Sequence, residues 1–309
     1  MNQEKESNFV SAVVYLHDNA EQVSPFLERV YNELEQHFKQ FEIIMVNDAS
    51  RDSSVEEIRR FMSQKGRTMP LTIVNMSLYQ GVELCMNAGL DLSIGDFIFE
   101  FDSLALSYPE GQIFEAYCTA LTGYDIVSVR PRRSRSFTSR LFYGVFNRFS
   151  GSNYKIGTDI FRVLSRRALN RVHAISATPA YRKAAYAASG LKLYAIELPG
   201  TAAGTDTNQP LRLSLAVNSL VLYTDVGYRV CAGISLLMLL CTLAELVYTL
   251  VVFLGGGHPI EGWTTTMLVI SVGFFGVFLI LALVLKYLSL VVDLIFRQQK
   301  YLVEGIEKL

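Results

Sequence analysis

Three aspartates each follow closely on a short apolar run: Asp18 behind FVSAVVYL, Asp48 behind FEIIMVN and Asp102 behind FIFEF. A carboxylate in such a place can accept hydrogen bonds from a ligand or bind a hard cation that wants oxygen donors. Glu100 lies two residues before Asp102, so in a strand both project from one face, and Glu100 could serve as a second ligand or sit in an ion pair. The other chemically pointed stretch is basic. From Arg130 to Lys155 there are seven basic residues and no acid. Within it Phe137, Leu141, Phe142, Val145, Phe146 and Phe149 recur at helical spacing, with Arg140, Asn147 and Arg148 on the other side. That pattern fits a basic helix lying on an anionic bilayer, or a helix packed on its own domain with solvated arginines. Cys85, Cys118, Cys231 and Cys241 show no CxxC spacing, which argues against zinc and against a disulfide framework.

The elements that must position these residues can be read from periodicity. FVSAVVYL, FEIIMVN, LTIVNM, FIFEF and DIVSVR are strand-like, and helical segments near Val23 to Lys39, Ser53 to Gln64, Gln80 to Leu92 and Pro109 to Leu121 separate them. Such alternation predicts an α/β fold with a mainly parallel sheet covered on both faces. Ligands of such sheets bind at the carboxyl ends of the strands, so the loops after Leu16, Asn47 and Phe101 are where chemistry belongs. Ser24 and Pro25 read as N-cap and first residue of the first helix. Asp52 or Ser53 reads as the cap of the second.

Over 309 residues, 50% are hydrophobic and 18% charged, and the mean hydropathy is +0.27. This excludes a disordered chain and is rich for a wholly soluble one. The excess lies late in the sequence. Val230 to Leu254 is interrupted by a single charge, Glu245, and Thr264 to Leu285 carries none. Each is long enough to cross a hydrocarbon core of about 30 Å. Arg229 precedes the first and Lys286, Arg297 and Lys300 follow the second, whereas the joining GGGHPIEGW has no lysine or arginine. The positive-inside bias then places both ends in the cytoplasm, in keeping with a first twenty residues that lack the pattern of a secretory leader. Glu245 would sit near mid-bilayer, where an ionisable group needs a partner; Gly273 and Ser271 are the expected neighbours on the second span.

Taken in order, VNDASRDSS, MSLYQGVELCMNAGLDLSIGD, FEFDSL, the arginine-rich amphipathic segment, the two apolar spans and the tail KYLSLVVDLIFRQQKYLVE resemble the family-2 glycosyltransferases of the dolichol-phosphate mannose synthase and bactoprenol glucosyltransferase type. The resemblance covers nearly the whole chain. It implies a GT-A fold on the cytoplasmic face of a bacterial inner membrane, transferring a sugar from a nucleotide-sugar to a polyprenyl phosphate with inversion, in cell envelope polysaccharide synthesis. By family position Asp18, Asp48, Gly81, Asp102 and Ser103 would meet the nucleotide-sugar, with Asp102 the catalytic residue. Arg130, Arg135, Ser139 and Arg140 would meet the lipid phosphate, for which paired guanidinium donors suit. Asp102, with Glu100 as a candidate second ligand, would hold Mg2+ or Mn2+. The implied organisation is a nucleotide-sugar-binding core over 1–135, an acceptor and membrane-interface part over 136–225, two transmembrane helices within 226–290 (about 230–254 and 264–285) and a cytoplasmic tail over 291–309. A homo-oligomer, with a tetramer as the expected state, the lipid bilayer and no nucleic acid complete the implied partners.

The sequence departs from that family at the metal motif. An Asp, any residue, Asp pattern is expected, and the run here is Asp102, Ser103, Leu104, Ala105, Leu106. An acid expected before Thr158 is Gly157, with Asp159 nearby; no lysine occurs in GTAAGTDTNQPL; and the first-loop pair reads Asp18, Asn19. Two functions therefore compete: an active transferase economical in metal, and a catalytically impaired membrane scaffold or partner subunit of another transferase.

Overall fold

The computed structural model describes residues 4–65, 69–133, 143–144, 147–148, 156–175, 181–201, 230, 233–234, 236–238, 240–241, 244, 262–296 and 301–309. All five apolar runs form strands: β1 (Val10–Leu16), β2 (Phe41–Asn47), β3 (Leu71–Met76), β4 (Phe97–Phe101) and β5 (Ile126–Arg133). The helices between them are α1 (Ala20–His37), α2 (Ser54–Lys65), α3 (Val82–Leu92) and α4 (Gln112–Leu121). Then follow β6 (Phe161–Ser165), α5 (Arg166–Ile175), α6 (Arg182–Ala188), β7 (Leu193–Thr201), α7 (Trp263–Phe296) and β8 (Val303–Lys308). The sheet order is β7-β5-β6-β4-β1-β2-β3-β8. β4, β1, β2 and β3 run parallel, while β6 lies antiparallel between β4 and β5.

Two apolar layers sandwich this sheet. On one face Ala12, Val14, Phe99 and Phe101 pack with Phe26, Val30 and Leu34 of α1 and Ile113 and Tyr117 of α4. On the other, Val13, Val46 and Ile98 meet Cys85, Met86 and Ala88 of α3 and Leu169 of α5. Burial at this density is the main favourable term in folding. α3 can approach so closely because Gly89 has no side chain: a Cβ there would fall 2.4 Å from Val13 Cγ1 and 2.8 Å from Val46 Cγ2.

The first helix begins a turn earlier than Ser24 and Pro25 suggest. Its cap comes from the neighbouring loop: Asp52 Oδ2 accepts the Ala20 N–H at 2.9 Å, and Ser54 Oγ accepts that of Asn19 at 3.0 Å. Pro25 consequently lies inside α1. Asp52 also accepts the Ser54 N–H through Oδ1 at 3.0 Å, so it caps α2 as expected and extends α1 as well.

The chain falls into two compact units, 1–219 with 299–309, and 220–298. The segment read as a plain tail returns to the first unit as β8, antiparallel to β3. It covers what would be an open sheet edge. In the second unit, the described residues between 230 and 244 are helical, and α7 runs 34 residues. A Cβ on Gly276 would lie 2.9 Å from the Met238 side chain, so the two helical segments touch there. Judged on the described residues alone, no helix is long and apolar enough to cross a membrane. The backbone of α7 is nonetheless continuous through the uncharged sequence Thr264 to Leu285, and Phe274, Phe275, Val277 and Phe278 are each more than half exposed. The hairpin therefore stands as a proposal, taken up below. Glu245 and the bulk of the basic amphipathic segment lie outside the described residues; of the latter Tyr143, Gly144, Asn147 and Arg148 are described, and these are helical.

Candidate active site

The parallel strands β1, β2 and β3 deliver three loops to one sheet edge, and carboxylates tie these loops together. Asp48 is fully buried. Its Oδ1 accepts the Gln80 N–H at 2.7 Å, and its Oδ2 accepts the Gly81 N–H at 2.8 Å and the Tyr15 hydroxyl at 2.9 Å. Burial and the adjacent Asp48 carboxylate push the Tyr15 phenol well above its ordinary value, so it stays a donor. Gly81, at φ +84°, adopts a backbone that other residues enter at a cost. Asp48, expected to meet a nucleoside, thus spends both oxygens inside the protein and fixes the loop ahead of α3. Asp18 remains exposed, at φ +48°; its Oδ1 accepts the Arg51 N–H at 2.7 Å, and its own N–H donates to Ser50 Oγ at 3.1 Å. His17 Nδ1 lies 2.7 Å from the Asp48 carbonyl oxygen, and its ring leans on Tyr79 at 4.7 Å. Asp18, His17 and Tyr79 therefore lie together on the outer side of these loops.

Farther along the same edge, β4 and β6 meet a very different arrangement. Arg162 of β6 pairs in register with Glu100 of β4. Its three nitrogens reach three carboxylates: Nε to Glu100 Oε2 at 2.6 Å, Nη1 to Asp159 Oδ2 at 3.0 Å and Nη2 to Asp102 Oδ2 at 2.7 Å. Arg182, the first residue of α6, does the same: Nε to Glu83 Oε2 at 2.9 Å, Nη1 to Glu100 Oε1 at 3.0 Å and Nη2 to Asp102 Oδ1 at 2.7 Å. Tyr186 donates its hydroxyl to Glu100 Oε1, and Lys183 Nζ stands 3.4 Å from Asp159 Oδ2. The side chains of Arg162, Arg182 and Glu100 are at most 3% exposed, that of Asp102 26%. Charges this deep are tolerated because each is paired and hydrogen-bonded.

Burial alone would raise the Asp102 carboxyl; the Arg162 and Arg182 guanidinium groups, helped by Lys183, reverse this and hold it well below the usual carboxylate range. Burial likewise opposes the Arg162 charge, yet Asp102, Glu100 and Asp159 hold the guanidinium protonated more firmly than usual. Burial and Glu100 push the Tyr186 phenol up, keeping it a donor.

These residues do not fit a divalent metal. Both Asp102 oxygens accept from arginine, as do both Glu100 oxygens, and among the described residues no group of three or more histidines, cysteines or acids could hold an ion. A cation placed on Asp102 would sit beside two fixed guanidinium charges. Glu100, considered as a second ligand, is instead the buried centre of the ion network. Leu104, at the position of the family's second aspartate, is 2% exposed and packs in the layer formed with α1 and α4. An aspartate there would be buried in that apolar layer and would not complete a metal site. Ser103 follows Asp102, half-buried.

Of the expected lipid-phosphate residues, Arg130 is described; Arg135, Ser139 and Arg140 lie outside the described residues. Arg130 Nη2 pairs with Glu197 Oε1 at 2.9 Å across β5 and β7. A Cβ on Gly157 would lie 3.5 Å from Arg130 Nη1, and the Lys183 ammonium is 3.5 Å from the Gly157 carbonyl. Two cations thus flank the backbone where the family places an acid. Sequence reasoning missed Glu83, Arg162, Arg182, Lys183 and Tyr186. One signal was available: Arg162 interrupts the apolar run Ile160, Phe161, Val163, Leu164, and an arginine inside a central strand needs a buried partner.

The profile of the family described as "Glycosyl transferase family 2" matches residues 11–173, that is β1 through most of α5. A glycosyltransferase of Synechocystis sp., sll0501, is 30% identical over 160 residues, covering 49% of this chain and 48% of that protein. The undecaprenyl-phosphate 4-deoxy-4-formamido-L-arabinose transferase of Edwardsiella ictaluri is 29% identical over 154 residues, covering 48% of this chain and 46% of that protein. This chain therefore spans about half the length of those two relatives. The Bacillus subtilis glycosyltransferase YkcC is 24% identical over 310 residues, 96% of this chain and 94% of that protein. Among solved structures, the mannosyltransferase PcManGT of Pyrobaculum calidifontis, in complex with GDP-Man and Mn2+, superposes with a TM-score of 0.51 at 17% identity over 71% of this chain and 63% of that one. At that identity the likeness speaks for the GT-A fold. With more than half of its length matched by the family profile, the chain belongs to glycosyl transferase family 2.

Proposed function

We propose that the protein is a membrane-anchored transferase that moves a sugar from a nucleotide-sugar to a polyprenyl phosphate, with inversion at the anomeric carbon. The observation that carries this reading is the family match laid on the fold: residues 11–173 span the strand ends that gather Asp18, Asp48, Gly81 and Asp102 on one edge. The named activity of the Edwardsiella ictaluri relative supports a polyprenyl-phosphate acceptor. So does the basic run beginning at Arg130, in a chain that also carries apolar sequence of membrane-spanning length. An exposed apolar face such as that of α7 needs a lipid or protein cover. In this reading the two hydrophobic segments form a hairpin, the GT-A unit and both termini face the cytoplasm, and the chains assemble as a homo-oligomer.

A lipid phosphate is already ionised near neutral pH. Its oxygen can attack the sugar's anomeric carbon in line as the bond to the nucleoside diphosphate breaks. Such a step depends on alignment and charge neutralisation more than on a general base. A scaffold without activity is the second reading, favoured by the closure of Asp102 in an ion network. One assay separates the two: full-length protein in membranes, undecaprenyl phosphate, and a panel of radiolabelled uridine, guanosine and thymidine diphosphate sugars. Solvent-extractable labelled lipid is the expected product. Its absence with every donor leaves the scaffold reading.

A further inference from the structure

We propose that this glycosyltransferase works without a divalent metal, because Arg162 and Arg182 hold the place and the charge that the ion would take on Asp102. The inference rests on the transferase reading above.

An ion in such a site has to be held by a carboxylate whose charge is not already balanced, and it neutralises that carboxylate before it can bridge to a diphosphate. Here both Asp102 oxygens are already paired with guanidinium groups. Each Asp102 oxygen accepts a guanidinium N–H at 2.7 Å, one from β6 and one from α6. Glu100, the other carboxylate on this face, is equally occupied by Arg162, Arg182 and Tyr186. The pair is built in rather than opportunistic. Arg162 faces Glu100 by strand register, and Arg182 is anchored twice by Glu83 Oε2, through its backbone N–H at 3.0 Å and its Nε at 2.9 Å. Both guanidinium groups are planar forks that spend every nitrogen on a separate carboxylate, which a lysine could not reproduce. Their burial also fixes them: either one, swinging away to admit an ion, would strip Glu100 of one of its two guanidinium partners in the core. Leu104 agrees with this arrangement, since a second aspartate has no function where no metal is bound.

The test uses the full-length protein in detergent or nanodiscs. Mn2+ is titrated alone and with uridine diphosphate, and free Mn2+ is followed by electron paramagnetic resonance. In parallel, calorimetry measures the affinity for uridine diphosphate glucose and guanosine diphosphate mannose with and without a chelator. The expected result is a free-Mn2+ signal equal to that of the protein-free control, and donor affinity unchanged by chelator. Stoichiometric Mn2+ uptake, or a loss of donor affinity of about tenfold on chelation, would overturn the proposal. If neither donor binds, the wider donor panel above decides on the transferase reading, while the titration with Mn2+ alone still decides for or against the metal. Arg182→Gln, which frees Asp102 Oδ1, is expected to gain Mn2+ binding if it folds. A folded variant as indifferent to Mn2+ as the parent would overturn the claim that the arginines exclude the ion. Should that variant fail to fold, the titrations of the unaltered protein carry the decision.

Discussion

Two regions on one sheet edge solve the same problem in opposite ways. Around Asp48, a buried carboxylate is satisfied by backbone amides of the next loop, Gln80 and Gly81, and by one neutral phenol. Around Asp102, buried carboxylates are satisfied by the side chains of two arginines from β6 and α6, sixty and eighty residues farther along the chain. The first arrangement leaves the negative charge facing amide dipoles and shapes a loop. The second sets charge against charge and ties α3, β4, β6 and α6 together. The difference teaches that an aspartate behind a strand can be a loop clamp or an ion-pair partner, and the partner's chemistry decides which.

Breaking the second region should have the larger effect. Arg162→Met leaves Glu100, Asp102 and Asp159 short of a cation, and removing one member of a buried ion pair costs about 3 to 5 kcal/mol. Chemical denaturation should register that loss, whereas Arg130→Ala, which removes a half-exposed pair with Glu197, should cost no more than about 1 kcal/mol. Equal losses would mean that the network adds nothing beyond surface pairing.

Breaking the first region should cost less in stability and more in ligand binding. Asp48→Asn offers one acceptor oxygen where the Gln80 and Gly81 amides each require one, and an unsatisfied buried donor costs about 1 to 3 kcal/mol. A drop in stability within that range, with weakened nucleotide affinity, is expected from parallel denaturation and calorimetry. A variant as stable as the parent would remove the clamp from the account of this loop.

Acid sharpens the comparison without mutation. The folded-state pKa of Asp102 is depressed below its ordinary 3.8. Its contribution to stability is therefore fully present above about pH 4 and is lost as the pH falls through the folded value. Stability should decline below that point, and Asp102→Asn should flatten the decline. An unchanged acid limb in the variant would show that other carboxylates dominate it.

The smallest effect is expected from the edge of the sheet. The Gln80 side chain exchanges hydrogen bonds with the Leu302 backbone at 2.8 and 3.0 Å, and the Tyr301 hydroxyl donates to Asp91 Oδ2 at 2.8 Å. The two residues ahead of β8 therefore brace both ends of α3. Deleting residues 301–309 should weaken nucleotide affinity by about threefold, a cost below 1 kcal/mol, and leave the Asp102 network intact. It should also promote association through the bared β3 edge, which light scattering would detect.

The amino-acid sequence by itself determined the first five strands and the loops that end in Asp18, Asp48 and Asp102, because apolar periodicity and strand-to-helix punctuation are local properties. It also marked the missing metal ligand at Leu104 and the two long apolar segments. It misplaced the start of α1, since the cap that extends this helix belongs to Asp52 of another loop. It read the last residues as a tail, since β8 is defined by the edge it covers and has little alternation of its own. The hydrogen-bond partners of Asp48 and Asp102 came from tertiary structure alone. Whether a carboxylate faces a ligand or a buried guanidinium depends on strand register and on the arrival of β6 and α6, and pairings across sixty or eighty residues leave no periodic trace in a single sequence.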